Sequence, residues 1–486
     1  MMNANLPHTY LQPILEAELE SVVGPDGFRS VDADCLCYSV DYYWVPRVWF
    51  DRDMPMPKPQ WVVMPRTAQQ VADVLRIANR YKLPVVPWGG GSGSQGGALP
   101  VQGGIVLDMK RMNSIVHFDE KSLTVTAQTG IIQQDLETWL QQRDCSMMHF
   151  AASIRSATLG GFLAHRGTGV LSTRYGKIED MVLSLEVVLP TGEIIRTAPV
   201  PRHAAGPDLT QLFVGSEGTL GVITEATMKI HPQPEARHFR AYLFDNLSIG
   251  LEAGRRLMVD RLYPSTIRLY DAIETQKVVK RVLGLDVDGA YMVVGYEGHQ
   301  VPVEFALKRT HEIFTELGAQ DLGEEPGWHW WEHQLDFYYP PHTLDLPEAF
   351  GTMDTVATYD KIEGVYLAMK EAVEAISPDI IFMAHFSHWY EWGCMMYDRF
   401  VIKEPPEDAA EAVRLYNRVW HIGIEAALKA GGMINEHHGI GLKLAPFMEK
   451  QYGPAFKVLL ELKKALDPNG IMNPGKLGFP FTTRPF

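Results

Sequence analysis

Apolar and polar positions along residues 60–143 fall into alternating short and long periods. QWVVMP (60–65) is an apolar run of strand length. In TAQQVADVLRIANRYK (67–82) the apolar residues Val71, Val74, Leu75 and Ala78 recur at helical spacing, and Thr67 stands where an N-cap belongs. PVVPWGGGSGSQGG (84–97) is a strand running into a glycine loop, GGIVLDM (103–109) and SLTVTAQTG (122–130) are further strands, and IIQQDLETWLQQR (131–143) is a helix. Strand–helix–strand order predicts helices layered on a sheet. A second such stretch spans about 178–230. MVLSLEVVLPTGEIIRT (181–197) is strand, Pro-Thr-Gly turn and strand, a hairpin signal, and LGVITEATMKI (220–230) alternates as a strand.

Punctuation then divides the chain. Residues 13–23 read as a helix, and DRDMPMPKPQ (51–60), with its prolines, reads as a linker. HPQPEA (231–236) separates the second stretch from a segment of amphipathic helices and strands that extends to about residue 435. The tail, PAFKVLLELKKALDPNGIMNPGKLG (454–478), is a helix stopped by Asp467-Pro468-Asn469-Gly470. The expected domains are residues 1–55 (helical segment and linker), 56–235, 236–440 and 441–486.

Composition narrows the function classes. A chain of 486 residues can bury a large core without disulfides or metals. A formal net charge of −15 argues against a nucleic-acid partner and weakly against anionic membranes. The four cysteines do not make a disulfide framework, and their number suits a reducing compartment. The N-terminus lacks the basic and apolar regions of a signal peptide, no apolar run is long enough for a membrane span, and TTRPF is not a peroxisomal address. The expected location is the cytoplasm.

Three glycine-rich segments carry the candidate chemistry. Pro87-Trp88-Gly89-Gly90-Gly91-Ser92-Gly93-Ser94 follows a strand, where glycines let backbone N–H groups approach an anion. The run from Ala152 to Gly161, continuing through His165 to Gly169, is small and polar and suits a planar ligand. Gly215-Ser216-Glu217-Gly218-Thr219-Leu220-Gly221 feeds directly into a strand. The Pro87–Ser94 string itself is neither GxGxxG nor GxxxxGK[ST].

Five ordered strings, PVVPWGGGSGS, SATLGG, YGKIEDMVLSLEVVLPTGE, GSEGTLGVITEATMKIHPQPE and LDPNGIMNPGK, resemble the vanillyl-alcohol-oxidase/p-cresol-methylhydroxylase flavoprotein superfamily. Within it the chain is similar to D-lactate and glycolate dehydrogenase subunits and to alkyldihydroxyacetonephosphate synthases. The resemblance implies an α+β fold: a p-cresol-methylhydroxylase-type FAD-binding domain of two subdomains, an α/β cap (substrate) domain with an antiparallel sheet, and a C-terminal tail returning to the FAD domain. It implies FAD, bound without the histidine tether that some relatives carry in the first glycine loop. On that mapping Pro87, Trp88, Gly89, Gly90, Gly91, Ser92 and Gly93 hold the pyrophosphate. Ser153, Ser156, Thr158, His165 and Thr168 line the isoalloxazine and ribityl region, with Gly160 and Gly161 beside them. Glu217, Gly218, Gly221 and Ile223 meet the adenosine end.

Oxidation at a flavin needs a base and a group that orients the substrate. In Asn435-Glu436-His437-His438-Gly439, His437 and His438 are the candidate bases, since imidazole titrates near neutrality. The resemblance to the synthases places Tyr390 at their catalytic tyrosine and Arg268 at their functional arginine. A segment before that tyrosine is shorter here and lacks an arginine, which weakens the synthase's substrate for this chain. No metal is expected; His385 and Glu436, with His437, are the residues that would gather one, but Trp392 stands at the second histidine of the metal-using relatives. The aromatics of 328–339 hint at a bulky or phenolic substrate. The leading expectation is an FAD-dependent oxidoreductase acting on a 2-hydroxy acid, alcohol or phenol, with oxygen, a quinone or a protein as electron acceptor, assembled as a homo-oligomer. A non-redox synthase-like transferase and a flavin subunit of a glycolate-oxidase-like complex are the alternatives.

Overall fold

The computed structural model describes residues 8–338 and 346–481, so Tyr339 of the aromatic segment and the terminal TTRPF lie outside the described residues. The first sheet is built as the hydrophobic pattern requires. Strands β1 (Phe28–Arg29), β2 (Trp61–Val63), β3 (Val85–Trp88) and β4 (Ile105–Asp108) lie in the order β1-β2-β4-β3, with β2 and β3 both parallel to β4. Parallel pairing needs a crossover, supplied by the helix Ala68–Tyr81. Its Val71, Val74, Leu75 and Ala78 are fully buried, and Thr67 Oγ1 accepts from Gln70 N at 3.2 Å. The N-terminal helix His8–Val23 sends Leu15 and Leu19 into the same core.

The second sheet is antiparallel. It contains β5 (Ile115–Asp119) and β6 (Thr124–Gln128); a separate short strand β7 (Cys145–Ser146) follows before β8 (Val182–Val188), β9 (Ile194–Arg196) and β10 (Val222–Lys229) complete it in the order β5-β6-β10-β8-β9. β8 and β9 form the predicted hairpin, its turn closed by Gly192 N to Leu189 O at 2.8 Å. β11 (His231–Pro232) pairs with β7.

The third sheet has seven antiparallel strands: β12 (Ala236–Phe244), β13 (Thr266–Tyr270), β14 (Ala290–Gly298), β15 (Gln320–Gly323), β16 (Ala349–Thr358), β17 (Ile380–Trp389) and β18 (Gly393–Ile402), in the order β15-β12-β14-β13-β17-β18-β16. Helices such as Leu247–Val259, Ile362–Glu374 and Ala409–Ala430 bury one face in the largest core. Side chains directly opposite on neighbouring strands share a face. Register pairs Tyr270 with His385, His385 with Tyr397 and Tyr397 with Asp354, so one polar row crosses the middle of the sheet. The aromatics of 328–338 mainly build the packing beside it: Trp330 donates to Tyr270 Oη at 2.8 Å and Trp331 stacks on Phe239.

The chain ends by returning to its beginning. Val85 N donates to Ile471 O and Asn473 N to Val85 O, both at 2.8 Å, so the tail lies along β3. Lys463 Nζ donates to Thr219 O, and Lys476 Nζ to Leu99 O, each at 2.8 Å. The fold is therefore α+β, with the tail closing on the domain that holds the glycine loops.

Candidate active site

β3 delivers the first glycine loop into a cleft of about 140 Å³ lined by Pro87 through Gly93, Thr158, Gly160, Gly161, His165, Glu217, Gly218, Gly221, Ile223 and His438. Among the described residues, no backbone N–H from Gly89 to Gly93 has a protein acceptor. Five consecutive unpaired N–H groups at the end of a parallel strand suit an anion such as a pyrophosphate. A side chain cannot replace hydrogen at Gly90, because a Cβ there would overlap the Ser156 carbonyl oxygen. Gly218 takes a φ of +69° and its Cβ would press on Pro87. The open, hydroxyl-rimmed cradle fits FAD.

The GSEG turn is fixed from the far end of the chain. The Glu217 carboxyl accepts twice, from Ile440 N and from Gly441 N at 2.8 Å, while Asn473 Nδ2 donates to Glu217 O at 2.7 Å. Burial raises the Glu217 carboxyl to about 7 against the pull of those two N–H groups. Glu217 thus ties one glycine turn to the loop carrying His437 and His438.

A second cavity, of about 720 Å³, meets the first at Trp88, the glycine loop, His165 and His438. Ser153, Ser156, Thr168, Arg268, Tyr338, Thr352, Ser387, His388, Tyr397 and His437 line it further. The histidine loop hangs from Asp354, buried in the middle of β16. Asp354 Oδ2 accepts from the N–H of Glu436 (2.9 Å), His437 (2.6 Å) and His438 (3.3 Å), and its Oδ1 accepts from Asn435 Nδ2 at 2.6 Å.

The two neighbouring imidazoles take different charge states. Burial alone would depress both. His437 Nδ1 lies 2.8 Å from Glu436 Oε2 and 3.0 Å from Asp354 Oδ2, and these carboxylates push it up to about 9. For His438, with Nδ1 2.8 Å from Asp354 Oδ1, burial and the charge on His437 outweigh Asp354, and its pKa falls below the usual 6.5. His165 and His388 are held to about 4, chiefly by burial. At neutral pH the cavity therefore contains one imidazolium, His437, among free bases.

Arg268 reaches the floor of this cavity. Its Nη1 donates to Tyr338 Oη at 2.8 Å and lies 3.3 Å from His385 Nε2, while its buried Nε has no acceptor among the described residues. Arg399 lies 3.4 Å from Glu274. Burial raises Glu274, and both arginines lower it. Only Arg399 is within ion-pair distance of Glu274; Arg268 acts on it through its charge.

The cofactor residues expected from the sequence all line one cavity or the other, and His437, His438 and Arg268 converge on the second. Tyr390 does not line either cavity. It stacks on Trp392 and donates its hydroxyl to Glu436 Oε1, and burial, then Glu436, raise its pKa. Tyr397, seven residues on, faces the cavity instead, 5.1 Å from the His438 ring. His385 is not among the lining residues either: it lies beneath Tyr397, ring stacked on ring at 4.8 Å, with its Nδ1 3.1 Å from Glu274. His388 is the histidine beside Glu436, at 3.2 Å. His388, Glu436 and His437 could together approach a metal. Yet Glu436 is already saturated: Lys177 Nζ sits 3.0 Å from Oε1, Tyr390 shares that oxygen, and His388 and His437 share Oε2. That donor set fits an internal ion cluster better than a dication. Asp354, Tyr397, His388 and Lys177 were missed at the sequence level; the signal for Asp354 and His388 was a polar residue inside an apolar run.

A family model described as FAD binding domain matches residues 59–198, and one described as FAD linked oxidases, C-terminal domain, matches residues 233–477. An uncharacterised FAD-linked oxidoreductase of Escherichia coli (strain K12) is 32% identical over 439 residues, covering 87% of this chain and 89% of that protein. An alkyldihydroxyacetonephosphate synthase of Trypanosoma brucei brucei is 29% identical, covering 97% of this chain and 81% of its own. The glycolate oxidase subunit GlcD of Bacillus subtilis (strain 168) is 29% identical, with 95% and 96% covered. Among solved structures, an alkyldihydroxyacetonephosphate synthase superposes with a TM-score of 0.80 at 26% identity over 98% of this chain and 88% of that one. p-Cresol methylhydroxylase with substrate bound shares the fold, with a TM-score of 0.80 at 18% identity over 99% of each chain.

Proposed function

Since the chain belongs to the FAD-linked oxidase family, with its FAD-binding and C-terminal domains in order, we propose that it oxidises a small anionic alcohol, of the 2-hydroxy acid class, to the carbonyl compound. The observation that carries this reading is the pairing of a neutral His438 with a guanidinium, Arg268, in a cavity that opens on the FAD cleft. Bound FAD supplies the two-electron hydride acceptor. Arg268 holds the carboxylate, with Tyr338 fixing the guanidinium. His438 takes the hydroxyl proton, its Nδ1 side being turned to Asp354. The imidazolium of His437 and the hydroxyl of Tyr397 stabilise negative charge that develops on the substrate oxygen. The C–H bond breaks with its electron pair leaving as hydride, the O–H bond breaks to give its proton to His438, and a C=O bond forms.

Anaerobic mixing of the holoenzyme with 2-hydroxy acids, neutral alcohols and phenols tests this. The acids are expected to bleach the flavin, with colour restored by oxygen or a dye. His438→Gln is expected to slow bleaching by about 10²–10⁴-fold while FAD stays bound. The bleaching rate should rise as pH passes the depressed pKa of His438, below 6.5, and fall as His437 loses its proton near 9. A profile flat from pH 5 to 10, an approximate window set by histidine titration, would remove both histidines from the reaction.

The whole-length likeness to alkyldihydroxyacetonephosphate synthases supports a second reading, a non-redox transferase. Substrate consumption with no reduction of dye or oxygen would favour it.

A further inference from the structure

The segment preceding the first matched domain also lines the substrate cavity. Asp41 and Arg47 come from residues outside both family-model matches, yet they share its wall with Arg268, Tyr397 and His438. Arg47 sits on the helix Trp44–Asp51, which is anchored rather than peripheral: Trp44, Val45 and Val48 are buried in the largest core, and Trp44 stacks on Tyr416 with centroids 4.7 Å apart. The Arg47 side chain is half-buried. Among the described residues it forms no ion pair, and its Nε is buried without an acceptor. In a chain with 59 acidic residues against 44 basic ones, a shielded guanidinium without a carboxylate runs against composition. Of the cavity's other guanidiniums, Arg155 also lines the wall and has a partner of its own, and Arg268 has Tyr338 and the neighbouring Glu274.

We infer that Arg47 is a second anion anchor of the substrate cavity, reading a negatively charged group at a distance from the one held by Arg268. The substrate is then a hydroxy acid with a further carboxylate or phosphate, and the N-terminal segment sets that specificity. This inference rests on the 2-hydroxy acid reading of the same cavity. A guanidinium fork binds either anion through two N–H groups, and a lysine keeps the charge without the fork.

Inert probes separate the anchor from the chemistry. Oxidised holoenzyme is titrated with pentanoate, glutarate and 4-phosphonobutanoate, and binding is read from the flavin difference spectrum. Glutarate or the phosphonate is expected to bind at least about tenfold more tightly than pentanoate, a difference of about 1.4 kcal/mol or more. The preferred dianion tells carboxylate from phosphate. Arg47→Gln is expected to erase that preference and leave pentanoate unchanged, with FAD content and melting temperature as wild type. Arg47→Lys is expected to retain part of it, and serves if the glutamine variant does not fold. Equal affinities for pentanoate and both dianions in the wild type, or an equal loss for all three in Arg47→Gln, would overturn the anchor. If the dianions bind as expected but no hydroxy acid bleaches the flavin, the oxidation reading fails and the anchor stands.

Discussion

The Asp354→Asn protein is expected to fold and to retain FAD, and to turn over about 10³-fold more slowly than the wild type, within the span that loss of a positioned acid–base group produces. Asp354 is a fully buried anion that accepts three successive backbone N–H groups and lies within 3.0 Å of His437 Nδ1 and 2.8 Å of His438 Nδ1. An amide offers one acceptor oxygen and turns an N–H₂ toward donors. The loop then loses both its hydrogen-bond anchor and its charge. The pH profile distinguishes this from simple loosening. Burial opposes the proton on His437, and Asp354 is the largest influence holding it there, up to about 9. Without that charge the alkaline limb is expected to move toward lower pH. Stability changes in the same sense: a raised histidine pKa stabilises the fold fully below about 6.5 and the contribution is lost as pH rises through about 9. Asp354 itself, held well below 3.8, contributes above that value and is lost as pH falls through its depressed pKa. Single-turnover bleaching from pH 5 to 10, an approximate window around histidine titration, with thermal melts at each pH, checks both. An alkaline limb that stays near 9 would show that Glu436 alone holds the proton.

Gly90→Val is expected to yield a colourless protein that does not recover flavin on incubation, an affinity loss of about 10³-fold or more, or about 4 kcal/mol. The backbone of the first glycine loop lies against the 152–158 segment so closely that a Cβ at Gly90 meets the Ser156 carbonyl. The loop must lift away, and lifting it disperses the row of unpaired N–H groups that fits a pyrophosphate. The variant should also lose the extra stability that bound cofactor gives the native state. Absorbance after desalting and melting curves with and without added FAD measure the effect. A yellow variant with a normal melt would place the pyrophosphate elsewhere.

These two positions were not equally legible in the sequence. Gly90 stands in a run of three glycines after a strand, a pattern that a surface turn also makes, and it is the five ordered strings together that point to a cofactor loop there. The helix Ala68–Tyr81 and the β8–β9 hairpin were also readable, since each follows from local spacing. The substrate wall was harder. His385 and His388 are three apart, and simple alternation puts them on opposite faces of β17. A bulge between Phe386 and His388 brings both to the face of Tyr397, with His388 next to Glu436. No periodicity marks a bulge in advance. The same hairpin separates Tyr390, at its turn, from Tyr397, in the polar row. A motif matched by eye picks the nearer tyrosine; only register picks the one that faces the cavity. Asp354 and Arg47 are distant in sequence from every motif, so their roles depend on packing that local pattern does not encode.

The closure of the cleft by the chain's last segment sets an order of events during synthesis. Thr219, Leu99, Gly97 and Glu217 present carbonyls that accept from Lys463, Asn473 and Lys476. A nascent chain whose residues 463–476 are not yet free to fold has all three glycine-rich segments but lacks the clasp. Flavin capture should therefore wait for residues 463–476 to fold back, and ribosome-stalled chains ending before Asn473 should remain without yellow colour however much riboflavin-derived nucleotide the cell provides.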